Sequence, residues 1–294
     1  MPNTRVIAVD LGGTKVAVAL IDERGKITHC VIEPVDGSST EAPVDQIVRL
    51  AKPLIGQAEG VGVAVPGLAR RDGTVWAPNL PGWDRVPLAK LLRRRLRLPA
   101  FVESDRNAAV LGEAWRGAAR GKSDVVVLIA GTGIGAGILS DGRLIRGAHE
   151  LSGCAGWLVV ADEMNEFTAR CGALEALAAG AAIGRKESRD GAAVARAARA
   201  GDKATRAIFL RAGNLLGRAV ANLISLFDPE VVVLTGGLTH AADLFLDELK
   251  RTAMQFAQPL SAPHVAIEVS TLQEQANLLG AGRLAFDGIE SKEA

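Results

Sequence analysis

The sequence predicts an α/β protein built from two related halves, and three observations carry that expectation. Short apolar runs rich in β-branched residues alternate with longer amphipathic stretches, the pattern of buried strands and the helices that cover them. An opening pattern of strand, glycine-rich turn, strand, turn, strand is written twice, an internal repeat of about 120 residues. The chain has 294 residues, 48% hydrophobic and 23% charged, which suffices for two domains with a core each.

Residues 6–10 (VIAVD) form the first predicted strand. It breaks at Leu11-Gly12-Gly13-Thr14-Lys15, resumes over 16–21 and turns at 22–26 (DERGK) into a third strand. A helix over 44–54, a buried strand over 60–65, a helix over 88–96, a short strand over 101–103 and a helix from 105 to about 116 follow. The second copy opens with a strand over 125–130 and breaks at Gly131-Thr132-Gly133-Ile134-Gly135. It resumes over 136–139, turns at 140–143 (SDGR) and starts another strand at Leu144 and Ile145. The longest helical signal, about 205–227, spaces Ile208, Ala212, Leu215, Leu216, Ala219, Leu223, Ile224 and Phe227 along one face, and Pro229 ends it. A strand over 231–234 runs into Gly236-Gly237, and 241–254 is again helical. A last helix of about 275–287 is expected to pack back onto the N-terminal domain, in a division of 1–117 and 118–294.

Bulk properties exclude several function classes. The net charge is +1, with 34 basic and 33 acidic residues, which gives no reason to expect nucleic acid or a membrane as partner. The arginines of 91–98 (LLRRRLRL) alternate with leucine, as on a solvated helix face. No charged leader followed by a long apolar segment precedes the first strand, and no stretch reaches the ~20 uncharged apolar residues of a membrane span. Three cysteines, Cys30, Cys154 and Cys171, are too few and scattered for a disulfide framework, so a cytoplasmic protein is expected.

The chemistry concentrates in the glycine breaks. In Asp10-Leu11-Gly12-Gly13-Thr14-Lys15 the glycines let consecutive N–H groups approach an anion, Asp10 can hold Mg²⁺ directly or through phosphate or water, and Thr14 and Lys15 add donors. An ordinary hairpin turn explains the same glycines, but Rossmann and Walker spacings are both absent. Gly131, Thr132, Gly133 and Gly135 supply a second set of donors, so the duplication points to two loops gripping one phosphate chain. Asp105 follows a strand and opens a helix, where it is either a plain helix-start acid or a carboxylate able to take a hydroxyl proton. Asn79 lies in a proline-stiffened loop, 77–83 (APNLPGW), suited to hydrogen-bonding sugar hydroxyls or to shaping a turn. Gly236-Gly237 either admits a flat purine or simply turns the chain.

Together these segments resemble the ROK family of sugar kinases and repressors, within the actin–hexokinase superfold. The resemblance runs from residue 6 to residue 282, through DLGGTK at 10–15, VPG at 65–67, APNLPGW at 77–83, ESDRNAAVLGE at 103–113, AGTGIGAGI at 130–138 and LTGGL at 234–238. It implies duplicated ribonuclease-H-like domains around an ATP cleft, Asp105 as general base, Asp10 near Mg²⁺, ATP on both glycine loops, adenosine at Gly236 and Gly237, and a homodimer. Gly67, Asn79, Ser104, Asp105, Trp157 and Glu175 fall at the family's sugar-side positions.

The departures lie on the acceptor side. Ser104 stands where the family has Asn before the catalytic Asp, and Trp157 replaces a sugar-binding glutamate in Ala155-Gly156-Trp157, with the family's histidine missing. An alternative register puts Glu150 at that glutamate's position. The cysteine-rich zinc loop is reduced to 171–175 (CGALE), where Glu175 matches a sugar-contacting glutamate, so no zinc is expected. These changes favour a kinase for a small sugar other than conventionally bound glucose, against a sugar- or nucleotide-binding regulator without transfer. A DNA-binding repressor is disfavoured, because only five residues precede Val6.

Overall fold

A computed structural model describes residues 4–162, 166–187 and 190–293. In chain order the strands are β1 (Arg5–Leu11), β2 (Lys15–Asp22), β3 (Ile27–Pro34), β4 (Val61–Val65), β5 (Leu68–Ala69), β6 (Val75–Trp76), β7 (Ala100–Ser104), β8 (Val125–Ala130), β9 (Ile134–Ser140), β10 (Arg143–Leu144), β11 (Val231–Thr235) and β12 (Ala266–Val269). The helices are α1 (Ala42–Ala51), α2 (Leu88–Leu96), α3 (Asp105–Arg116), α4 (Glu166–Cys171), α5 (Ala173–Ala178), α6 (Gly180–Glu187), α7 (Gly191–Arg199), α8 (Lys203–Phe227), α9 (Leu246–Phe256) and α10 (Gln275–Glu293). They form two compact units: unit 1 comprises the residues up to Gly121, Arg146–Leu151 and those from Glu274 onward, and unit 2 comprises Lys122–Ile145 and Ser152–Gln273.

Unit 1 is built on a five-stranded sheet of order β3-β2-β1-β4-β7. β1 and β2 pair antiparallel, while β1–β4 and β4–β7 are parallel. Alternation along the pleat sends Ile7, Val9, Leu11 and Val63 into a core with Ile47, Leu88 and Leu92. On the other side lie small residues, because α10 comes very close: a Cβ at Gly62 would stand 1.8 Å from the Ala281 carbonyl oxygen. The same closeness joins α10 to α3, where a Cβ at Gly280 would lie 1.7 Å from the Ala108 oxygen. Glycine and alanine there admit backbone contact that no larger side chain permits.

Unit 2 repeats this plan in a sheet of order β10-β9-β8-β11-β12, with β8 antiparallel to β9 and β11 parallel to both β8 and β12. The duplication seen in the glycine breaks therefore extends through the whole sheet. Its core gathers Val126, Leu128, Val232 and Leu234 with Phe209, Leu216, Val220 and Ile224 of α8. Asp202 caps α8, accepting the Thr205 N–H at 2.9 Å, and the helix ends at Asp228 in the left-handed region, just before Pro229. α8 is 25 residues long with a window of mean hydropathy 1.2, but 61% of that window is buried, as befits a core helix.

Two expected elements differ from those found. The helix expected over 241–254 divides into a 3₁₀ segment, Gly237–Leu244, and α9, because the chain leaves helical geometry at Phe245 to bury that ring. The second glycine break is shorter than 131–135: β9 already begins at Ile134, so Gly135 lies inside the strand, opposite Ile129.

Candidate active site

In unit 1 the site begins where β1 ends. Gly12 donates to the Lys15 carbonyl oxygen at 2.8 Å, which closes the first hairpin, and Gly13 and Thr14 at its tip are exposed. Asp10 sits one residue before the strand closes. Its carboxyl is pushed up to about 7, first by burial and then by the negative charge of Asp105, against an Asn277 hydrogen bond and the Lys15 charge. Lys15 itself pairs with Glu274. Asn277 and Glu274 belong to the α10 end of the chain, and nothing in the linear sequence signals their place beside Asp10.

Asp105 is the first residue of α3. Ser104 caps the helix by accepting the Asn107 N–H, and Asp105 Oδ1 accepts the Arg106 N–H at 2.8 Å. Burial raises the Asp105 pKa, and the Arg106 N–H and charge oppose that rise. Both carboxyls are partly buried, and the charge of Asp105 acts on Asp10. Ser104 is 1% exposed and its hydroxyl serves the cap and Glu103, so its work here is local to α3.

The loop that carries Asn79 is closed on itself. Ala77 donates to the Trp83 oxygen at 2.8 Å and Leu80 to the Ala77 oxygen at 3.0 Å, while the buried Trp83 indole donates to the Thr40 oxygen at 3.0 Å. Gly67, at φ +97°, packs where a Cβ would meet the Trp76 oxygen at 2.4 Å. The exposed Asn79 side chain lies against the first hairpin, 3.7 Å from where a Gly13 Cβ would stand. An open cavity of about 570 Å³ between Asp36, Ser39, Gln46 and Arg49 includes none of these residues.

In unit 2 the second loop is tied from within. Gly131 donates to the Gly133 oxygen at 2.9 Å, Gly180 to the Gly131 oxygen at 2.8 Å, and Ile134 to Glu175 Oε2 at 2.7 Å. Thr132 is exposed at the tip. A Cβ on Gly133 would stand 2.6 Å from Glu175 Oε2. Gly236 adopts φ +93° with the Ala130 oxygen 2.6 Å from any Cβ, whereas a Cβ on Gly237 would meet only open space. Gly237 also adjoins the loop, its nitrogen 3.8 Å from a Gly131 Cβ. The half-site is therefore a bed of backbone beside vacant volume, a shape that suits phosphate oxygens and a flat base. Gly156 packs against Glu175, and Trp157 follows it with 57% of its surface exposed. Glu150 belongs to unit 1, where it pairs with Arg71 at 3.2 Å.

Known proteins are similar to this chain along nearly its whole length. The model of the ROK family matches residues 6–287. The glucokinase of Thermotoga maritima is 34% identical over 319 aligned positions, covering 98% of this chain and 99% of that protein. Among solved structures, the ROK hexokinase from Thermus thermophilus matches with a TM-score of 0.86 at 30% identity, covering 99% of this chain and 100% of that one. A ROK family glucokinase from Streptomyces griseus, in complex with glucose and AMPPNP, matches with a TM-score of 0.81 at 29% identity over 97% of this chain and 100% of its own.

Proposed function

Since the chain belongs to the ROK family, we propose that it transfers the γ-phosphoryl group of ATP to a hydroxyl of a small sugar. The observation that carries this reading is the interacting pair Asp10 and Asp105, set beside the glycine hairpin. In this reading the backbone N–H groups of 12–14 and 131–133 bind the phosphates, and the adenosine lies at Gly236 and Gly237. Asn79 and Gly67 orient the acceptor. Asp105 accepts the proton of the attacking hydroxyl, a role suited by a carboxyl raised toward neutrality. Phosphoryl transfer demands positioning and charge stabilisation more than covalent help from the protein.

Mg²⁺ fits this donor set. Asp10 is a partly buried carboxyl under the charge of Asp105, and Lys15, the cation that acts on it, is paired with Glu274, so a divalent ion would offset charge left uncompensated. When bound with ATP it would neutralise phosphate charge. Asp10 would hold it directly or through phosphate or water. A cytoplasmic homodimer without structural zinc completes the proposal.

The acceptor is proposed to be a modified sugar instead of glucose bound in the usual manner, since Ser104 is occupied at the helix cap and Trp157 offers an apolar face. A panel of free, amino and N-acylated sugars with ATP and Mg²⁺, read as ADP release, tests both parts. Glucose turnover with kcat/KM of roughly 10⁴ M⁻¹s⁻¹ or above would overturn the acceptor reading. Absence of turnover on every sugar, with ATP still bound, would replace transfer by a regulatory role.

A further inference from the structure

Asp105 is flanked by two residues that grip the same short segment. Glu103, two residues before it, is 4% exposed and holds four donors. Its Oε1 accepts the Ser104 N–H at 2.9 Å, the Asn107 amide at 3.0 Å and the Ser104 hydroxyl at 3.4 Å, while its Oε2 accepts Arg146 Nε at 2.8 Å. Arg106, the next residue after Asp105, donates from Nη2 to the Glu150 carbonyl oxygen at 3.3 Å. Arg146 and Glu150 belong to a single stretch, Arg146–Leu151, which is part of unit 1 although the chain on both sides of it belongs to unit 2.

Two residues of this arrangement, Glu150 and Arg106, carry local costs. Glu150 adopts φ +58°, uncommon for a residue with a side chain. Arg106 puts a cation in the first turn of α3, where the helix dipole disfavours it, and its Nε is buried with no partner among the described residues. Such local conflicts concentrate where a position serves function.

We propose that Arg146 and Arg106 are positioning residues that fix the Asp105 carboxylate through the first turn of α3. This rests on the reading of Asp105 as the general base. Arg146 neutralises and orients Glu103, Glu103 ties down Ser104 and Asn107, and those two residues set the turn whose Arg106 N–H holds Asp105 Oδ1. Removing Arg146 leaves a buried carboxylate without its cation, which frees the turn to shift. A reacting group misplaced by about 1 Å costs on the order of 10²-fold in rate.

The experiment measures kcat and KM for ATP, on the best sugar of the panel, in Arg146→Gln, Arg146→Lys, Arg106→Gln and Asp105→Asn, with active sites counted by ATP-analogue binding. For Arg146→Gln kcat falls about tenfold or more while KM for ATP stays within about twofold, and Arg146→Lys recovers part of the loss. A merely structural arginine would lower the yield of binding-competent protein and leave kcat per site unchanged, which overturns the proposal. Asp105→Asn separates the two levels. If it retains turnover, the base assignment fails and takes this inference with it. If it is inactive while Arg146→Gln and Arg106→Gln both keep kcat within about twofold, only the positioning role fails. Should Arg146→Gln not fold, Arg146→Lys and Arg106→Gln decide by the same criterion.

Discussion

One residue before its end, β1 carries Asp10, and at the same point β8 carries Ile129. Both strands run on into a glycine hairpin, both sheets have the same strand order, and the parallel neighbours match. The chemistry beneath the hairpins differs. Under the first, burial and the charge of Asp105 raise the Asp10 carboxyl, and burial raises that of Asp105. Under the second, the Glu175 carboxylate accepts the Ile134 N–H and so serves the loop itself. In the proposed reading a duplicated scaffold has thus divided its labour: one copy would supply the acid–base and metal-attracting groups, and the other backbone donors and open space. Substitutions that are chemically alike should therefore act unequally in the two units.

The largest contrast is between Asp105→Asn and Glu175→Gln. Asparagine keeps the shape of Asp105 but cannot accept the hydroxyl proton, and general-base catalysis is typically worth about 10²–10⁴-fold. Turnover should fall by that factor with ATP binding nearly unchanged. Glutamine at 175 can still accept the Ile134 N–H, so single-turnover rates should drop far less, under about tenfold, because only the charge of that hydrogen bond is lost. Equal losses in the two variants would erase the division of roles.

The glycine loops come next. Neither Gly12 nor Gly133 has a left-handed φ, so the damage from a side chain comes from lost space. A Cβ at Gly133 meets Glu175 Oε2 at 2.6 Å, and one at Gly12 meets the Lys15 oxygen at the milder distance of 3.1 Å. Gly133→Val should weaken binding of an ATP analogue by tenfold or more, about 1.4 kcal/mol, with the circular dichroism spectrum unchanged. Gly12→Val should weaken it less. Calorimetric titration that returns wild-type affinity for both variants would remove the two-loop reading.

Protonation sharpens the comparison through stability. The folded protein holds a proton on Asp10 up to about pH 7, whereas its ordinary carboxyl value is 3.8. Between those values the folded state binds more protons than the unfolded one, so stability falls as pH rises through that window. Glu248 in unit 2 has the opposite sign: hydrogen bonds from Arg251 and then Asn214 lower its carboxyl to about 2, so its stabilisation is present above about 4.5 and fades on acidification. Without nucleotide or divalent metal, Asp10→Asn should raise Tm at pH 8 by several degrees, and the gain should shrink toward pH 4. A Tm difference independent of pH would show that Asp10 ionises normally.

How far the sequence reveals this molecule depends on how local each signal is. α3 is legible to its ends because Ser104, Asp105 and Gly117 are start and stop signals within one stretch, and α8 because its apolar spacing persists for many turns. β12 escapes notice, being four residues long with alternating exposure after a proline-containing segment. α5, α6 and α7 escape because each is only six to nine residues long, too few turns for a helical period to stand out. The site divides the same way. Asp10, Asp105 and the glycine loops are visible because each sits at a strand end with its turn, whereas Asn277, Glu274 and Arg146 reach their partners only through tertiary packing. The second break ends earlier than its glycines suggest, since β9 starts at Ile134, whose N–H is held by the Glu175 carboxylate 41 residues away.

The smallest expected effect concerns Trp157, the exposed aromatic residue of unit 2, set against the polar loop around Asn79 in unit 1. Its indole is 57% exposed, so it contributes little to the core of unit 2, and Trp157→Ala should leave Tm almost unmoved. An aromatic face placed against a sugar ring or an acyl substituent is worth about 0.5–1.5 kcal/mol beyond simple burial. The KM for the preferred acceptor should therefore rise about two- to tenfold, with KM for ATP constant. Trp157→Phe should keep most of the affinity, since the ring face is retained. Asn79→Ala should behave differently: it removes hydrogen bonds, so it should penalise acceptors according to their hydroxyls and not their apolar groups. A Trp157→Ala variant with unchanged acceptor KM across the whole sugar panel would take the indole out of the acceptor site and leave specificity to the polar loop of unit 1.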